Sequence, residues 1–281
     1  MHWQTTRFRL TFDRPLVMGI VNVSADSFSA RSHDGGVEAA MALCDQLAGE
    51  GADILDIGGA STRPGAMALD PADELARVMP VVRHAVTLGL PVSIDTSHAL
   101  VMRGALEAGV DIVNDVKALQ RPGTLELMAA SPQVGVCLMH MRGEPDSMQS
   151  LARYDDAVLE VRHFLQSRLD IAVAHGVALD RIALDPGVGF AKLDEHNWQL
   201  TRRLDDIVAL GRPILVGWSR KSTLGRLAGR DVHHRLGASV AAALASVHRG
   251  ASIVRVHDVS DTVDAIKVWQ AALGLSIPQT S

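Results

Sequence analysis

Two cationic side chains interrupt an otherwise apolar stretch, SIVRVHDV, near the end of the chain. Arg255 and His257 are two positions apart, and alternate residues of an extended strand lie on the same face. With Arg63 and the uncharged Asn22, they predict a site for a multiply charged anion such as pyrophosphate, because no acidic residue is matched to them. The alternative is an ion pair between Arg255 and an aspartate, of which Asp258 is the nearest in sequence.

A second group of polar residues consists of three carboxylates and one amide, each at the end of an apolar run: Asp56, Asp95, Asn114 and Asp185. A buried carboxylate needs hydrogen-bond donors or cations around it. A flat heterocycle with several N–H groups on its edge, such as a guanine-like 2-amino-4-oxo ring, would supply those donors. Lys221 could bond the carbonyl edge of such a ring. Metal ligation by the three aspartates is the alternative, and the lack of closely spaced pairs such as His-x-His disfavours it.

The stretch GWSRKST at residues 217–223 predicts a turn from a strand into a helix. Backbone N–H groups around Ser222 would then form a helix N-terminus, where a carboxylate could bind. The spacing is not that of a Walker loop, because the Gly-x4-Gly-Lys pattern is missing. By itself this stretch is a weak indication of function.

The elements that must position these residues are eight short apolar runs, each followed by a polar or glycine-rich loop and a helical pattern. The runs span residues 15–21, 52–58, 91–95, 111–115, 134–139, 181–185, 213–217 and 252–256. Strands that alternate with helices pair in parallel, and eight such units in 281 residues match the size of a TIM barrel. We therefore predict a single (β/α)8 barrel domain over residues 1–281, in preference to a doubly wound open sheet. A short N-terminal hairpin or strand is expected to cover its bottom.

Two helices have recognisable ends and faces. Asp70 is predicted as an N-cap and Pro71 as the first helical position that follows it. A later helix ends at Gly176 and places its apolar residues on one face: Val158, Val161, Leu165, Leu169 and Ala172. In a barrel the carboxyl ends of the strands converge, so the candidate polar residues are expected to share one mouth.

The composition disfavours several classes of partner. A net charge of −5 gives no general attraction to nucleic acid or to an anionic membrane, so phosphate chemistry must rely on local cations. The start of the sequence lacks an apolar signal core, and no stretch approaches the roughly 18 apolar residues of a membrane span. We expect a soluble cytoplasmic protein. Cys44 and Cys137 are predicted to be small buried residues rather than a disulfide or a zinc site.

Taken together, eight stretches of the sequence resemble the dihydropteroate synthase family of the folate pathway, and they occur in that family's order. They are GIVNVSADSFS (19–29), DIGGASTRPGA (56–66), SIDTS (93–97), IVNDV (112–116), CLMHMRGEPDSMQ (137–149), LDPGVGFAK (184–192), GWSRKS (217–222) and IVRVHDV (253–259). The resemblance implies a pterin-binding (β/α)8 barrel. It also implies condensation of (7,8-dihydropterin-6-yl)methyl diphosphate with 4-aminobenzoate to 7,8-dihydropteroate and pyrophosphate. The implied route is a dissociative displacement, with Mg²⁺ as cofactor and a homodimer as the assembly.

The resemblance also assigns roles to matching positions. The pterin would be held by Asp56, Asp95, Asn114, Met139, Asp185 and Lys221. The diphosphate would be held by Asn22, Thr62, Arg63, Arg255 and His257, with Asn22 also a magnesium ligand. The 4-aminobenzoate would be surrounded by Phe28, Thr62, Arg63, Pro64, Phe190, Lys221 and Ser222. The catalytic residues would be Arg63, Lys221, Arg255 and His257, of which Arg255 and His257 take the charge of departing pyrophosphate.

Some positions depart from the family pattern. Ala60 replaces a glutamate that is common in GGESTRPG, which puts the anchoring of the loop at 59–69 in doubt. Trp218 also differs, and we expect it to pack in the core rather than contact a ligand. Loops 22–36 and 59–69 are expected to close over the reaction. Such changes could alter the affinity for aminobenzoate analogues such as sulfonamides.

Two other hypotheses are kept beside the synthase. A pterin-binding module without this reaction would resemble the methyltetrahydrofolate-binding domains of corrinoid methyltransferases, which share the barrel and the carboxylate floor. Such a module has no use for a diphosphate site, so NVSADSF, STRPG and RVHD favour the synthase. A paralogue that binds pterin but turns over poorly is the third hypothesis, and Ala60 is its only indication. Release of pyrophosphate separates these hypotheses.

Overall fold

The computed structural model describes residues 1–23, 35–60, 65 and 69–275. Ten strands occur in this part of the chain. The first two form an N-terminal hairpin, β1 (His2–Gln4) and β2 (Arg9–Thr11). The other eight are β3 (Leu16–Asn22), β4 (Ile54–Gly58), β5 (Val92–Asp95), β6 (Ile112–Asp115), β7 (Gly135–Met139), β8 (Ile182–Asp185), β9 (Leu215–Val216) and β10 (Ile253–Val256).

Helices follow these eight strands in alternation. They are α1 (Gly35–Gly49), α2 (Pro71–Val86), α3 (Ala99–Glu107), α4 (Thr124–Ala129), α5 (Ala157–Ala174), α6 (Asp194–Arg202), α7 (Leu204–Val208), α8 (Ser222–Ala228), α9 (Leu236–His248) and α10 (Val259–Ala272). The predicted helix signals are confirmed. Asp70 accepts the backbone N–H of Ala72 at the start of α2, with Pro71 as the first helical residue. The predicted apolar face of α5 is buried against the barrel.

The eight parallel strands close into a barrel. Their order is β8-β7-β6-β5-β4-β3-β10-β9. A parallel bridge between Leu184 and Ile214 joins the two ends of this row, and the N–H of Leu184 donates to the carbonyl oxygen of Pro213 at 2.9 Å. The predicted (β/α)8 barrel is therefore confirmed, and the open sheet is excluded because no unpaired edge remains between β8 and β9 among the described strands.

Alternation along the strands divides the side chains between two cores. Outward-facing residues such as Val17, Leu55 and Val254 pack against the helices in the large core. Inward-facing residues at the amino ends of the strands form a second, smaller core inside the barrel: Leu16, Met18, Ile54, Ile112, Cys137, Ala183, Leu215 and Ile253. This period of two is the expected pattern for strands of a filled barrel.

The N-terminal hairpin covers the bottom of the barrel, as predicted. Trp3 is fully buried within the inner core, and its indole N–H donates to the carbonyl oxygen of Arg181 at 2.7 Å. The two cysteines, Cys44 and Cys137, are free and buried, which confirms their structural interpretation. Among the described residues, every helix is too short or too polar to span a bilayer.

Candidate active site

The inward face of the barrel changes from apolar to polar at the carboxyl ends of the strands. Asp56 lies two residues after Ile54 of the inner core, and Arg255 lies two residues after Ile253. Residues two apart on a strand share a face, so these polar side chains point toward the barrel axis. The residues brought together in this way are Asp56, Asp95, Asn114, Met139, Asp185 and Arg255. The expectation that Asp185 and Arg255 share one mouth is therefore met. We call this set the floor of the mouth.

Arg255 lies at the centre of the floor. Its Nε donates to Asp56 Oδ2 at 2.6 Å and its Nη2 donates to Asp95 Oδ2 at 2.7 Å. The Asn114 amide N–H also donates to Asp56 Oδ2, at 3.2 Å. The sequence-based statement that no acid is matched to Arg255 is thus wrong, because barrel closure brings in two aspartates from distant strands. The alternative, an ion pair between Arg255 and an aspartate, is therefore met by Asp56 and Asp95. Asp258, the nearest aspartate in sequence, pairs with Arg220 instead.

Burial dominates the protonation of the floor. It raises the pKa of Asp95 from its ordinary value to about 7, although Arg255 works in the opposite direction. Burial likewise raises the pKa of Asp185 to about 6, opposed by the N–H of Gly187 and by Lys221. One guanidinium cannot neutralise three buried carboxylates, so the floor has a surplus of acceptors. A ligand with several donors would remove that surplus.

Buried oxygens of Asp56, in the floor, and of Ser93, on the neighbouring strand β5, are a second sign that donors are needed in this part of the barrel. Asp56 Oδ1 and Ser93 Oγ are buried and make no hydrogen bond within the part of the chain that the structure describes. The two residues are direct partners in the β4–β5 pairing, so both oxygens belong to one side of the barrel interior. Buried acceptors without partners are costly, and they favour a bound group that carries N–H donors.

Aromatic and apolar residues form one wall of the mouth, which begins at Met139 of the floor. Met139 pairs in register with Asp185 and belongs to a small buried cluster with Met141, against which Phe190 packs. Lys221 Nζ lies 4.2 Å from the ring centroid of Phe190, and its charge lowers the pKa of Asp185. This wall therefore joins an apolar surface, a cation and a carboxylate in one place, which suits a flat polar heterocycle.

The comparisons with known proteins agree with this geometry. The sequence pattern of one protein family, described as pterin binding enzyme, matches residues 18–257. The chain belongs to this family. It is 50% identical to the dihydropteroate synthase of Neisseria meningitidis serogroup B, over 98% of either chain. The resemblance to the dihydropteroate synthases is therefore confirmed.

Two solved structures extend the likeness to three dimensions. The dihydropteroate synthase of Xanthomonas albilineans with 4-aminobenzoic acid has a TM-score of 0.89 and 48% identity, with 96% of each chain covered. That of Burkholderia cenocepacia, complexed with 7,8-dihydropteroate, has a TM-score of 0.88 and 45% identity, and the match covers 97% of this chain and 96% of the other. Pterin-binding enzymes with closely similar barrels thus hold both an aminobenzoate and a pteroate.

The predicted anion site of this family member is partly described. Asn22 is exposed on the inward face of β3, and His257 is half-buried two residues beyond Arg255. Ser219 Oγ lies 2.9 Å from His257 Nδ1 and accepts the backbone N–H of His257 at 3.1 Å. Ser219 was missed by sequence reasoning, because nothing in GWSRKS signals a contact with a residue 38 positions away.

Four predicted site residues lie outside the described part of the chain: Phe28, Thr62, Arg63 and Pro64. Their predicted roles stay predictions. Ala60, which replaces the family glutamate, is half-buried at the start of that segment. Gly65 is described, and its N–H donates to the carbonyl oxygen of Pro145 at 2.9 Å.

A buried lysine, Lys192, was also missed by sequence reasoning. Its Nζ lies 2.9 Å from His140 Nδ1, from the carbonyl oxygen of Gly187 and from that of Phe190. Burial holds the pKa of Lys192 well below its ordinary value. Gly187 has φ of +67°, and a Cβ there would collide with the carbonyl oxygen of His140. Lys192 and Gly187 thus shape the loop after β8 that carries Phe190.

The stretch after β9 turns into a helix as predicted. Ser222 is the first residue of α8 and Lys221 directly precedes it. Trp218 is buried, stacks on Trp198 with ring centroids 4.8 Å apart, and donates its indole N–H to Thr201 Oγ1 at 3.1 Å. The expectation that Trp218 packs in the core is confirmed.

The alternative of a metal held by the three aspartates is not supported. In the described ranges, no group of three His, Cys, Asp or Glu residues has the geometry to hold a metal ion. Asp56 and Asp95 instead form ion pairs with Arg255. A magnesium ion prefers oxygen ligands and often binds through substrate phosphates and water with few protein ligands. The exposed amide oxygen of Asn22 is compatible with such a partly supplied coordination sphere.

Proposed function

We infer that this chain condenses (7,8-dihydropterin-6-yl)methyl diphosphate with 4-aminobenzoate to give 7,8-dihydropteroate and pyrophosphate. It is a pterinylmethyl transferase. The observation that carries this function is the floor of the mouth, where three inward carboxylates and Arg255 meet in a barrel of the pterin-binding family. The relatives named dihydropteroate synthase match 92% to 98% of the chain.

The pterin ring is assigned to the floor. Its ring and amino N–H groups would donate to Asp95 and Asp185, and Asn114 would meet its remaining polar edge. Lys221 would donate to the ring carbonyl, while Met139 packs against the ring face. The bonds that the ring N–H groups donate to Asp95 and Asp185 favour the ionised carboxylates, so pterin binding offsets the burial that raises the pKa of both residues.

The diphosphate is assigned to the upper side of the mouth. Arg255 lies on the inward face of β10, His257 follows two residues later just beyond the end of that strand, and Asn22 ends the neighbouring strand β3. Thr62 and Arg63 are proposed as further contacts. Cations placed beforehand at the leaving group stabilise the charge that develops there, which is the largest catalytic effect available to this site.

The aminobenzoate is assigned to the wall formed by Phe190, Lys221 and Ser222. Phe28, Thr62, Arg63 and Pro64 are proposed to complete this pocket. The carboxylate of the aminobenzoate would face Ser222 at the start of α8, and its aromatic ring would lie beside Phe190. This placement leaves the amino group directed toward the pterin methylene.

The reaction is a displacement at that methylene. The C–O bond breaks with its electron pair passing to pyrophosphate, the amine nitrogen forms the new C–N bond, and the amine loses one proton. An aromatic amine is neutral at pH 7, so no strong base is required to create the nucleophile. Arg255 and His257 bind the departing pyrophosphate, and the electron-rich pterin stabilises the cationic methylene of a dissociative path.

Magnesium is proposed to accompany the diphosphate. Asn22 would provide a protein ligand, and the substrate phosphates and water would provide the others. When bound, the ion would neutralise part of the charge on pyrophosphate. We further propose a homodimer in the cytoplasm that acts on small molecules, without a nucleic-acid or membrane partner.

A direct assay tests this function. The purified protein is incubated with the dihydropterin diphosphate, 4-aminobenzoate and Mg²⁺, and pyrophosphate and 7,8-dihydropteroate are quantified. Equal amounts of both products are expected, and omission of 4-aminobenzoate should abolish dihydropteroate. Tight pterin binding without pyrophosphate release would instead favour a binding module or a paralogue that turns over poorly.

A further inference from the structure

Two turns at the mouth are joined by a pair of charged side chains that the proposed reaction does not use. Arg220, in the turn after β9, donates to both oxygens of Asp258, in the turn after β10, at 2.5 and 3.2 Å. The neighbours of this pair are Ser219 and His257, which form their own hydrogen bond at 2.9 Å. The two turns are therefore held together by two adjacent side-chain contacts.

The backbone of Arg220 is held in an unusual conformation. Its φ is +58°, a region that most residues with a Cβ avoid. The surroundings support this conformation: the Arg220 N–H donates to Ser239 Oγ at 3.0 Å, and its carbonyl oxygen accepts from Arg235 Nη1 at 3.0 Å. Strained residues that the surroundings hold in place are concentrated at functional sites.

This turn determines where Lys221 and Ser222 stand. The N–H of Lys221 donates to the carbonyl oxygen of Trp218 at 3.2 Å, which closes a tight turn with Arg220 inside it. Lys221 is the N-cap of α8, which begins at Ser222. A shift of Arg220 would therefore move Lys221 on one side and, through Ser219, the ring of His257 on the other.

We propose that Arg220 is a positioning residue that, through Asp258, sets Lys221 and His257 in register across the mouth. This inference rests on the proposed function, in which Lys221 meets the pterin and the aminobenzoate and His257 meets the diphosphate. Arg220 itself touches neither reactant. The reaction needs both groups at once, because the C–O bond breaks at one and the new bond forms beside the other.

A matched pair exists at the opposite end of the barrel. Arg14 donates to both oxygens of Asp53 at 2.6 and 2.8 Å, and it also joins the segments of two neighbouring strands. The side-chain exposures are nearly equal, 34% and 18% for this pair against 38% and 21% for Arg220 and Asp258. Arg14→Ala therefore removes a bridge of the same kind and burial without approaching the mouth.

The experiment compares Arg220→Ala, Asp258→Ala, the double variant and Arg14→Ala. Alanine has a Cβ like arginine, so Arg220→Ala removes the pair without relieving the positive φ. We expect each variant at the mouth to lower kcat about 10- to 100-fold, and the double variant to be no worse than either single one. The affinity for a pterin analogue should fall less than kcat, because Asp95, Asn114 and Asp185 lie on strands and only Lys221 among the pterin contacts is displaced. Arg14→Ala should keep kcat while losing similar thermal stability.

Several results would overturn the proposal. Unchanged kcat in Arg220→Ala, additive losses in the double variant, or an equal loss of kcat in Arg14→Ala would each do so. A crystal structure of Arg220→Ala gives a readout independent of turnover, with Ser219 Oγ and His257 Nδ1 expected beyond hydrogen-bonding distance. Retention of that bond would refute the positioning role. Absence of pyrophosphate release by the unaltered protein would instead refute the proposed function.

Discussion

The buried carboxylates at the two ends of the barrel differ in how completely they are paired. At the bottom, Asp111 receives two bonds from Arg7 side-chain nitrogens at 3.0 and 2.7 Å and two backbone N–H groups. Asp53 is likewise paired with Arg14 and accepts the N–H of Val17 at 2.8 Å. Each carboxylate there has its own arginine.

At the mouth, by contrast, Asp56 and Asp95 share Arg255, and Asp56 Oδ1 has no hydrogen bond within the described residues. A satisfied pair contributes to the stability of the fold and has little left to offer a ligand. An unsatisfied group costs folding free energy, and that cost is offset when a ligand supplies the missing donors. The charges at the bottom therefore stabilise the fold, whereas the carboxylates at the mouth are able to bind a ligand that carries donors.

The largest expected effect at the mouth is that of Arg255→Ala. Removal of one preorganised group that stabilises developing charge typically lowers turnover about 10²- to 10³-fold. The chain should still fold, because Asp95, whose pKa is about 7, can accept a proton in place of the lost cation. Steady-state kinetics with circular dichroism as the folding control measure both. Turnover within threefold of the original would contradict the assigned role.

At the bottom, the largest expected effect is on stability. Arg7→Ala leaves the fully buried Asp111 without its arginine, at a cost of about 1–3 kcal/mol in the free energy of unfolding. Activity at a temperature well below unfolding should be unchanged. Urea unfolding and an initial-rate assay on the same sample test this. A loss of kcat with unchanged stability would mean that the two ends are not separate in function.

A smaller effect is expected for Asp185→Asn. Asparagine replaces one carboxylate oxygen by an NH2 donor and removes the negative charge, so it cannot accept two ring N–H groups side by side. Affinity for a pterin analogue should fall about tenfold or more, since hydrogen bonds to charged groups contribute roughly 1.5–3 kcal/mol. Asp53→Asn, at the bottom, is the matched control and should bind normally. Calorimetry measures the affinity of the pterin analogue for each variant. An affinity of Asp185→Asn equal to that of the unaltered protein would show that the pterin placement is wrong.

The smallest expected effect is the change of stability and of pterin affinity with pH. Burial raises the pKa of Asp185 to about 6 and that of Asp95 to about 7, above their ordinary value near 3.8. A raised carboxyl pKa favours folding at low pH, and this contribution is lost as the pH rises through 6 to 7. The affinity for pterin should change with pH in the opposite direction, because the ring N–H donors need ionised carboxylates as acceptors.

Affinity for a pterin analogue should therefore increase from pH 5 to about pH 7 and then level off. Below pH 7, binding should release protons, which calorimetry in two buffers of different ionisation enthalpy detects. Asp185→Asn should remove the part of the rise near pH 6. A flat affinity profile in the unaltered protein would indicate that the carboxylates are already ionised before the ligand arrives.

Local features of the fold were predictable from the sequence. The alternation of short apolar runs with helical patterns, the cap at Asp70 and the apolar face of α5 depend on neighbours within a few residues. The inward direction of Arg255 also follows from a period of two. These features were correct because local geometry alone decides them.

The partners of the site residues were not predictable in the same way. Arg255 was expected to lack a matching acid, yet it pairs with residues 160 and 199 positions away. Lys192 and Ser219 carried no signal of their own, since their contacts arise only when separate loops meet at the mouth. The family resemblance identified the matching positions but not these contacts.

The sequence by itself determined the strands, the face on which each polar residue lies, and the family to which the chain belongs. Only the closed barrel decided which charges meet. The succession of strand and helix within each βα unit follows from local pattern, but the register that brings Asp56, Asp95 and Arg255 together is a property of the whole ring. The desolvation that raises the carboxyl pKa values exists only after that ring has excluded water.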